Sequence, residues 1–283
     1  MKYSNIYKES IEQPESFWGK AGEAIHWTRK WDKVLDDSGK PFYRWFAGGE
    51  LNTCYNALDY HVENGRKDQV AIIYDSPVTD TVRKISYGQL LESVSVFAGA
   101  LSGIGVKKGD TVIIYMPMIP EALTAVLACA RIGAVHSVVF GGFAPNELAI
   151  RIDDAKPKVI VSASCGVEGK KTLAYKPLLD EAIKIASHKP QNCVIYQRPQ
   201  VKADLTPGRD IDWDNFVKGA KPAPGYNVQI LDADGNRLPN GEEGSVVIKL
   251  PLPPGCLPTL WQDDKRYDAQ NRGRQGLCRS LHD

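Results

Sequence analysis

The sequence predicts an α/β fold: a parallel sheet with flanking helices, followed by a short antiparallel hairpin near the C-terminus. Two observations carry this prediction. Between residues 86 and 196, stretches of helical spacing alternate with short apolar runs, each bounded by glycine or proline. Beyond residue 226 the apolar runs follow one another with no helical pattern between them. Strands covered on both faces read as apolar runs, and 112–116 reads that way, while 135–140, apolar apart from His136 and Ser137, also suits a strand.

Each element has a local reason. Ser86 with Gln89 three residues later forms a capping box. The helix it opens carries Leu90, Leu91, Val94, Ala98 and Leu101 at helical spacing and stops at Gly103 and Gly105. A strand over 111–116 follows. Pro120 opens a helix that runs to Arg131, with Gly133 as its stop. The strand 135–140 leads through Gly141-Gly142 into a helix over 145–154, then a strand over 158–162. A loop with Gly166, Gly169, Lys170 and Lys171 precedes a helix over 178–187 and a strand over 193–196. Residues 201–221 are polar and irregular. The hairpin is expected from strands 226–231 and 244–250 around the turn Asp232-Ala233-Asp234-Gly235. The basic stretch from Gln270 to Gly276 has no apolar pattern and is expected to be disordered. The segment 1–62 holds four of the six tryptophans with little periodicity, which suggests an aromatic-anchored wrap around a larger domain.

Composition narrows the function classes. Lys plus Arg is 35 and Asp plus Glu is 34, so no net field draws the chain to nucleic acid or to an anionic membrane. No run approaches the ~20 apolar residues of a membrane helix. The start Met1-Lys2-Tyr3-Ser4-Asn5, with early Glu9 and Glu12, reads as neither signal nor transit peptide, so a cytoplasmic location is expected. A clipped organellar precursor would look the same, which leaves the mitochondrial matrix as the alternative. The six cysteines show no C-x-x-C and no histidine at ligand spacing, so reduced thiols and no structural zinc are expected. His136, in a strand, reads as structural, and Asp153-Asp154 as a solvated helix end.

In open parallel sheets, ligands gather at the carboxyl ends of the strands. Two loops qualify: Phe140-Gly141-Gly142-Phe143, and 165–171 with Glu168, Gly169, Lys170 and Lys171. Glycine permits close backbone approach, Phe140 offers a face for a base, and the lysines offer cations for phosphate. Taken alone, two glycines favour a tight strand-to-helix turn and two lysines favour a solvated loop. Their shared end of the sheet is what brings a ligand into view. Ser102-Gly103-Ile104-Gly105-Val106-Lys107-Lys108-Gly109 runs helix, loop, strand, the reverse of a phosphate loop, so its glycines are a helix stop.

Residues 7–267 resemble short-chain acyl-CoA synthetases of the adenylate-forming superfamily. The similarity rests on Ile114-Tyr115-Met116-Pro117-Met118-Ile119-Pro120-Glu121-Ala122, on Ala128-Cys129-Ala130-Arg131-Ile132-Gly133-Ala134-Val135-His136 running into Phe140-Gly141-Gly142-Phe143, and on Pro14-Glu15-Ser16-Phe17-Trp18 and Arg44-Trp45-Phe46. Lys249-Leu250-Pro251-Leu252-Pro253-Pro254-Gly255 resembles the propionate-preferring branch more than the acetate branch. The resemblance implies joining of a short-chain carboxylate to CoA through an acyl-adenylate, with ATP and magnesium. It implies that the nucleotide end of CoA lies on Phe140, Gly141 and Gly142 and on Glu168, Gly169, Lys170 and Lys171, where lysine replaces the family's frequent arginine.

It also implies an incomplete sheet of the adenylate-forming N-terminal domain. The Ser-Gly-Thr-Thr-Gly type phosphate loop and the Trp-Trp-Gln-Thr-Glu type motif occur nowhere in the chain, which passes from Lys221-Pro222-Ala223 straight to Pro224-Gly225-Tyr226. The implied layout is an N-terminal segment (1–62), the first part of the ligase domain (63–221), its late β-rich part (224–267) and an unrelated tail (268–283), with the C-terminal domain and its adenylating lysine missing. The chain is therefore expected to lack catalytic residues, to hold ATP unproductively, to retain at most CoA, and to expose sheet edges that could pair with the full-length enzyme.

Overall fold

The computed structural model describes residues 2–225. The hairpin expected over 226–250 and the tail from 268 onward lie outside the described residues. The rest falls into two compact units, one up to Leu51 and one from Asn52 onward.

The first unit contains α1 (Tyr3–Glu12), α2 (Pro14–Gly22), β1 (Lys33–Asp36) and β2 (Arg44–Ala47), the two strands antiparallel. Its centre is aromatic. Trp27, Trp31 and Phe46 pack with ring centroids 5.0–5.2 Å apart, and the Trp27 indole N–H donates to the Gly22 carbonyl at 2.7 Å. So the aromatic residues pack among themselves within this unit, and its helices are not ones that apolar periodicity can find. In α1 no residue is buried, which removes the stripe such a reading needs.

In the second unit, β3 (Val70–Ser76) and β4 (Thr81–Ser86) form an antiparallel pair that leads into α3 (Tyr87–Gly103). The capping box is realised: the Gln89 amide donates to Ser86 Oγ at 3.3 Å, and the Ser86 amide to Gln89 Oε1 at 2.9 Å. There follow β5 (Thr111–Met116), α4 (Pro120–Ile132), β6 (Val135–Phe140), α5 (Pro145–Ala155) and β7 (Val159–Ala163). Then come β8 (Cys165–Glu168), β9 (Lys171–Ala174), α6 (Tyr175–Ile185), β10 (Asn192–Tyr196), β11 (Asp210–Asp212) and α7 (Trp213–Val217). Five strands form a parallel sheet in the order β11-β10-β7-β5-β6. Gly133 stops α4 at φ 72°, in the left-handed region that glycine reaches without strain.

Strand alternation divides the sheet between two cores. Val112, Ile114, Val159, Val161 and Val194 face α3, α4 and α7, while Ile113, Tyr115, Ile160, Cys193 and Ile195 face α5 and α6. Burying each such aliphatic side chain contributes roughly 1.5–3 kcal/mol.

Three expectations change. The stretch 201–221, read as irregular, supplies a fifth strand and a helix; Trp213 of α7 stacks on Phe97 of α3 at 4.1 Å. The loop 165–171 is a hairpin, β8 against β9, whose apolar content is too low to read as strand. Asp153 is more than a solvated end: it accepts the His188 amide at 2.8 Å, tying α5 to the chain after α6.

The chain stays docked through residue 225. The Ala223 amide donates to the Ser95 carbonyl at 2.8 Å, and Arg131 Nε donates to the Ala223 carbonyl at 2.8 Å. Arg131 is itself held by both oxygens of Asp59, at 2.7 and 3.0 Å. Among the described residues no helix is long and apolar enough to cross a membrane.

Candidate functional site

Because β5, β6 and β7 are parallel neighbours, their carboxyl ends open on one side of the sheet. Phe140 ends β6, and α5 begins five residues later at Pro145. The two glycines between them are required for different reasons. Gly142 has φ 91°, which other residues rarely adopt. Gly141 is buried against Tyr175: a Cβ there would lie 2.5 Å from the Tyr175 hydroxyl and 2.9 Å from the Met116 carbonyl. Gly166, on β8, presses on the same hydroxyl from the other loop.

A second tyrosine fixes the glycine loop from below. The Tyr115 hydroxyl donates to the Phe143 carbonyl and accepts the Gly142 amide, both at 3.1 Å. Burial pushes the Tyr115 phenol up to about 12, so it stays protonated and can serve both bonds. The Phe143 amide donates to the Phe140 carbonyl at 3.3 Å. The amides of Gly142 and Phe143 are thus satisfied inside the loop. What the loop presents is a flat backbone surface and the Phe140 ring, which is 64% exposed. Phe143 lies beside it with centroids 5.7 Å apart, and the Arg151 guanidinium sits 5.0 Å from the Phe143 ring.

The structure brings the second loop against the first. A Cβ on Gly142 would lie 3.2 Å from Leu173 Cδ2 and 3.6 Å from Glu168 Oε1. Burial first, and then the Glu168 carboxylate, raise the Tyr175 phenol above its ordinary value. Gly169 turns the hairpin at φ 57°. Lys170 and Lys171 are exposed beside it and make no ion pair among the described residues. The two candidate loops therefore meet at Gly142, Leu173 and Glu168, with Phe140 exposed on one loop and Lys170 and Lys171 exposed on the other. Tyr115, Tyr175 and Arg151 were not anticipated. Tyr115 reads as one more apolar strand residue, and nothing local ties Tyr175 to a loop more than thirty positions earlier.

This arrangement suits a planar base carrying phosphates. Glu168 is the one carboxylate among the seven predicted residues, and Glu147 nearby is paired with Arg151 at 3.2 Å, whereas magnesium needs a near-octahedral set of oxygens. Among the described residues no group of three His, Cys, Asp or Glu side chains could hold a metal.

The family profile described as acetyl-coenzyme A synthetase N-terminus matches residues 3–57, and the profile described as AMP-binding enzyme matches residues 59–214. The human acyl-CoA synthetase short-chain family member 3, mitochondrial, is 55% identical over 221 residues, 78% of this chain and 32% of its own. The propionate–CoA ligase of Salmonella typhimurium is 46% identical over 213 residues, 75% of this chain and 34% of its own. The solved acetoacetyl-CoA synthetase of Streptomyces lividans superposes with a TM-score of 0.70 at 23% identity, over 80% of this chain and 34% of that one. The chain spans about a third of the length of the curated relatives it matches.

Proposed function

The chain belongs to the AMP-binding enzyme family, and from that premise we propose that it carries the CoA-holding part of a short-chain acyl-CoA synthetase without the part that activates the acid. The nucleotide end of CoA lies on Phe140, Gly141 and Gly142, and its phosphates face Lys170 and Lys171 across the Glu168–Gly169 turn. The observation that supports this reading is the contact between the two loops through Gly142 and Glu168, one loop carrying the exposed Phe140 ring and the other the exposed Lys170 and Lys171. The names of the relatives favour a short-chain acid such as propionate, and favour a mitochondrial over a cytoplasmic location.

Acid activation depends on cations and backbone donors around the triphosphate. The join at Lys221–Pro224 omits the segment that supplies them, so these 283 residues form no acyl-adenylate with ATP and magnesium. On this reading 63–221 and 224–267 are the early and late parts of one interrupted ligase domain.

Calorimetric titration with CoA tests the binding, and ATP–pyrophosphate exchange with propionate tests the inactivity. CoA releases heat, and the double change Lys170→Ala/Lys171→Ala weakens it; exchange stays at background. Absence of heat with CoA overturns the first part, and exchange above background overturns the second.

One observation favours an additional reading as a partner of the full-length enzyme. Among the described residues strand β6 ends the sheet, with Val138 61% and Met118 87% exposed. Co-purification with the full-length enzyme, lost on Val138→Lys, tests it; no co-purification contradicts it.

A further inference from the structure

The buried charges of the second unit are paired, with one exception. Arg131 holds Asp59, and Lys176, Asp180, Arg209 and Asp210 form one network. Arg198 is only 7% exposed, yet among the described residues it meets no carboxylate. Its side chain makes one hydrogen bond, Nη1 to the Cys165 carbonyl at 3.1 Å. A buried guanidinium with a single neutral acceptor is costly to keep. The contact it does make falls where the candidate site begins.

Cys165 is the first residue of β8, the strand that carries Glu168 to the turn. The residue before it is stitched on three sides. The Ser164 amide donates to the Tyr196 carbonyl at 2.8 Å, the Tyr175 amide donates to the Ser164 carbonyl at 3.0 Å, and the Arg198 amide donates to Ser164 Oγ at 2.8 Å. Tyr175 in turn underlies Gly141 and Gly166. Arg198 thus grips the root of the hairpin from the β10 side, while Tyr175 grips it from the glycine-loop side.

We propose that Arg198 is a positioning residue of the candidate CoA site: its guanidinium holds the Cys165 carbonyl at the start of β8 and so sets where Lys170 and Lys171 stand relative to the glycine loop. It touches no ligand itself. This rests on the CoA reading above, so the test separates the two.

Hydrogen exchange is measured first on the ligand-free chain. Arg198→Met speeds exchange about tenfold across Cys165–Glu168 and Lys171–Ala174 and leaves β5 and β6 at the original rate; Arg198→Lys, which restores donor and charge, stays near the original. Calorimetry with CoA then shows a loss of about tenfold for Arg198→Met and recovery to within about threefold for Arg198→Lys. Unchanged hairpin exchange in Arg198→Met overturns the proposal, whatever CoA does. Uniform acceleration, or failure of that variant to fold, also overturns it, because the residue would then hold the whole domain. If the unaltered chain takes up no CoA, the CoA reading fails, and the ligand-free exchange still decides whether Arg198 positions the hairpin.

Discussion

The two edges of the parallel sheet are built differently. Strand β11 is three residues long, Asp-Ile-Asp, and the chain leaves it at once into α7, where Asp212 accepts the amides of Asp214 and Asn215. Asp210, whose side chain is fully buried, is clamped by Lys176 at 2.9 Å and Arg209 at 2.6 Å. This edge is short, charged and closed, which is how natural sheets prevent further pairing. Strand β6 is six residues long and reads Val-His-Ser-Val-Val-Phe. Val138 and Phe140 pair in register with Ile114 and Met116, which are buried, yet they are themselves exposed. Among the described residues one edge is closed off, while the other has the character of an interior strand. Strand β6 ends at Phe140, so the candidate surface lies at the rim of the sheet formed by the described residues.

The largest test of this contrast is at the closed edge. Asp210→Ala leaves Lys176 and Arg209 without their shared partner and lowers unfolding free energy by about 3–5 kcal/mol, read from denaturant titration. A loss under 1 kcal/mol would mean the clamp does not hold this edge. The pH dependence has a definite sign. Burial raises the Asp210 carboxyl, but Arg209, the Thr206 amide and Lys176 more than offset it and hold it below its ordinary value. Its contribution is therefore present above about pH 4 and is lost as pH falls through the lower folded value. Asp210→Asn flattens the acid limb of the stability curve; an unchanged limb would contradict this.

Next comes the brace beneath the site. Gly141→Ala drives a methyl into Tyr175 and the Met116 carbonyl and costs about 1–3 kcal/mol, with CoA affinity falling alongside. Smaller still, Val138→Lys leaves stability within about 0.5 kcal/mol but reduces self-association in sedimentation. If the unaltered chain is monomeric at high concentration, the open edge is not adhesive. Last, Lys170→Ala alone weakens CoA by roughly fivefold, consistent with an exposed ion pair of about 1 kcal/mol, and leaves the melting temperature alone.

Local signals reveal the frame of this molecule, and distant contacts conceal its braces. The capping box at Ser86, the stop at Gly133 and the apolar strands 111–116 and 135–140 are each set by a few adjacent residues, so they can be read directly. The loops that carry the candidate residues Phe140, Gly141, Gly142, Lys170 and Lys171 can be placed from the sequence because strand order puts them at one end of the sheet. Tyr175 and Arg198 are not legible: their partners lie 9 to 60 positions away, and neither stands in a motif. Strand β11 is hidden because it is stabilised by ion pairs and by β10 rather than by its own apolar content.

Hydrogen exchange with and without saturating CoA puts the central claim to its most direct test. Slower exchange at Phe140, Gly141, Gly142 and Phe143 and along the Cys165–Glu168 and Lys171–Ala174 hairpin, with Asp210–Asp212 unaffected, is the result the account requires. Protection confined to other segments, or none anywhere, would contradict it.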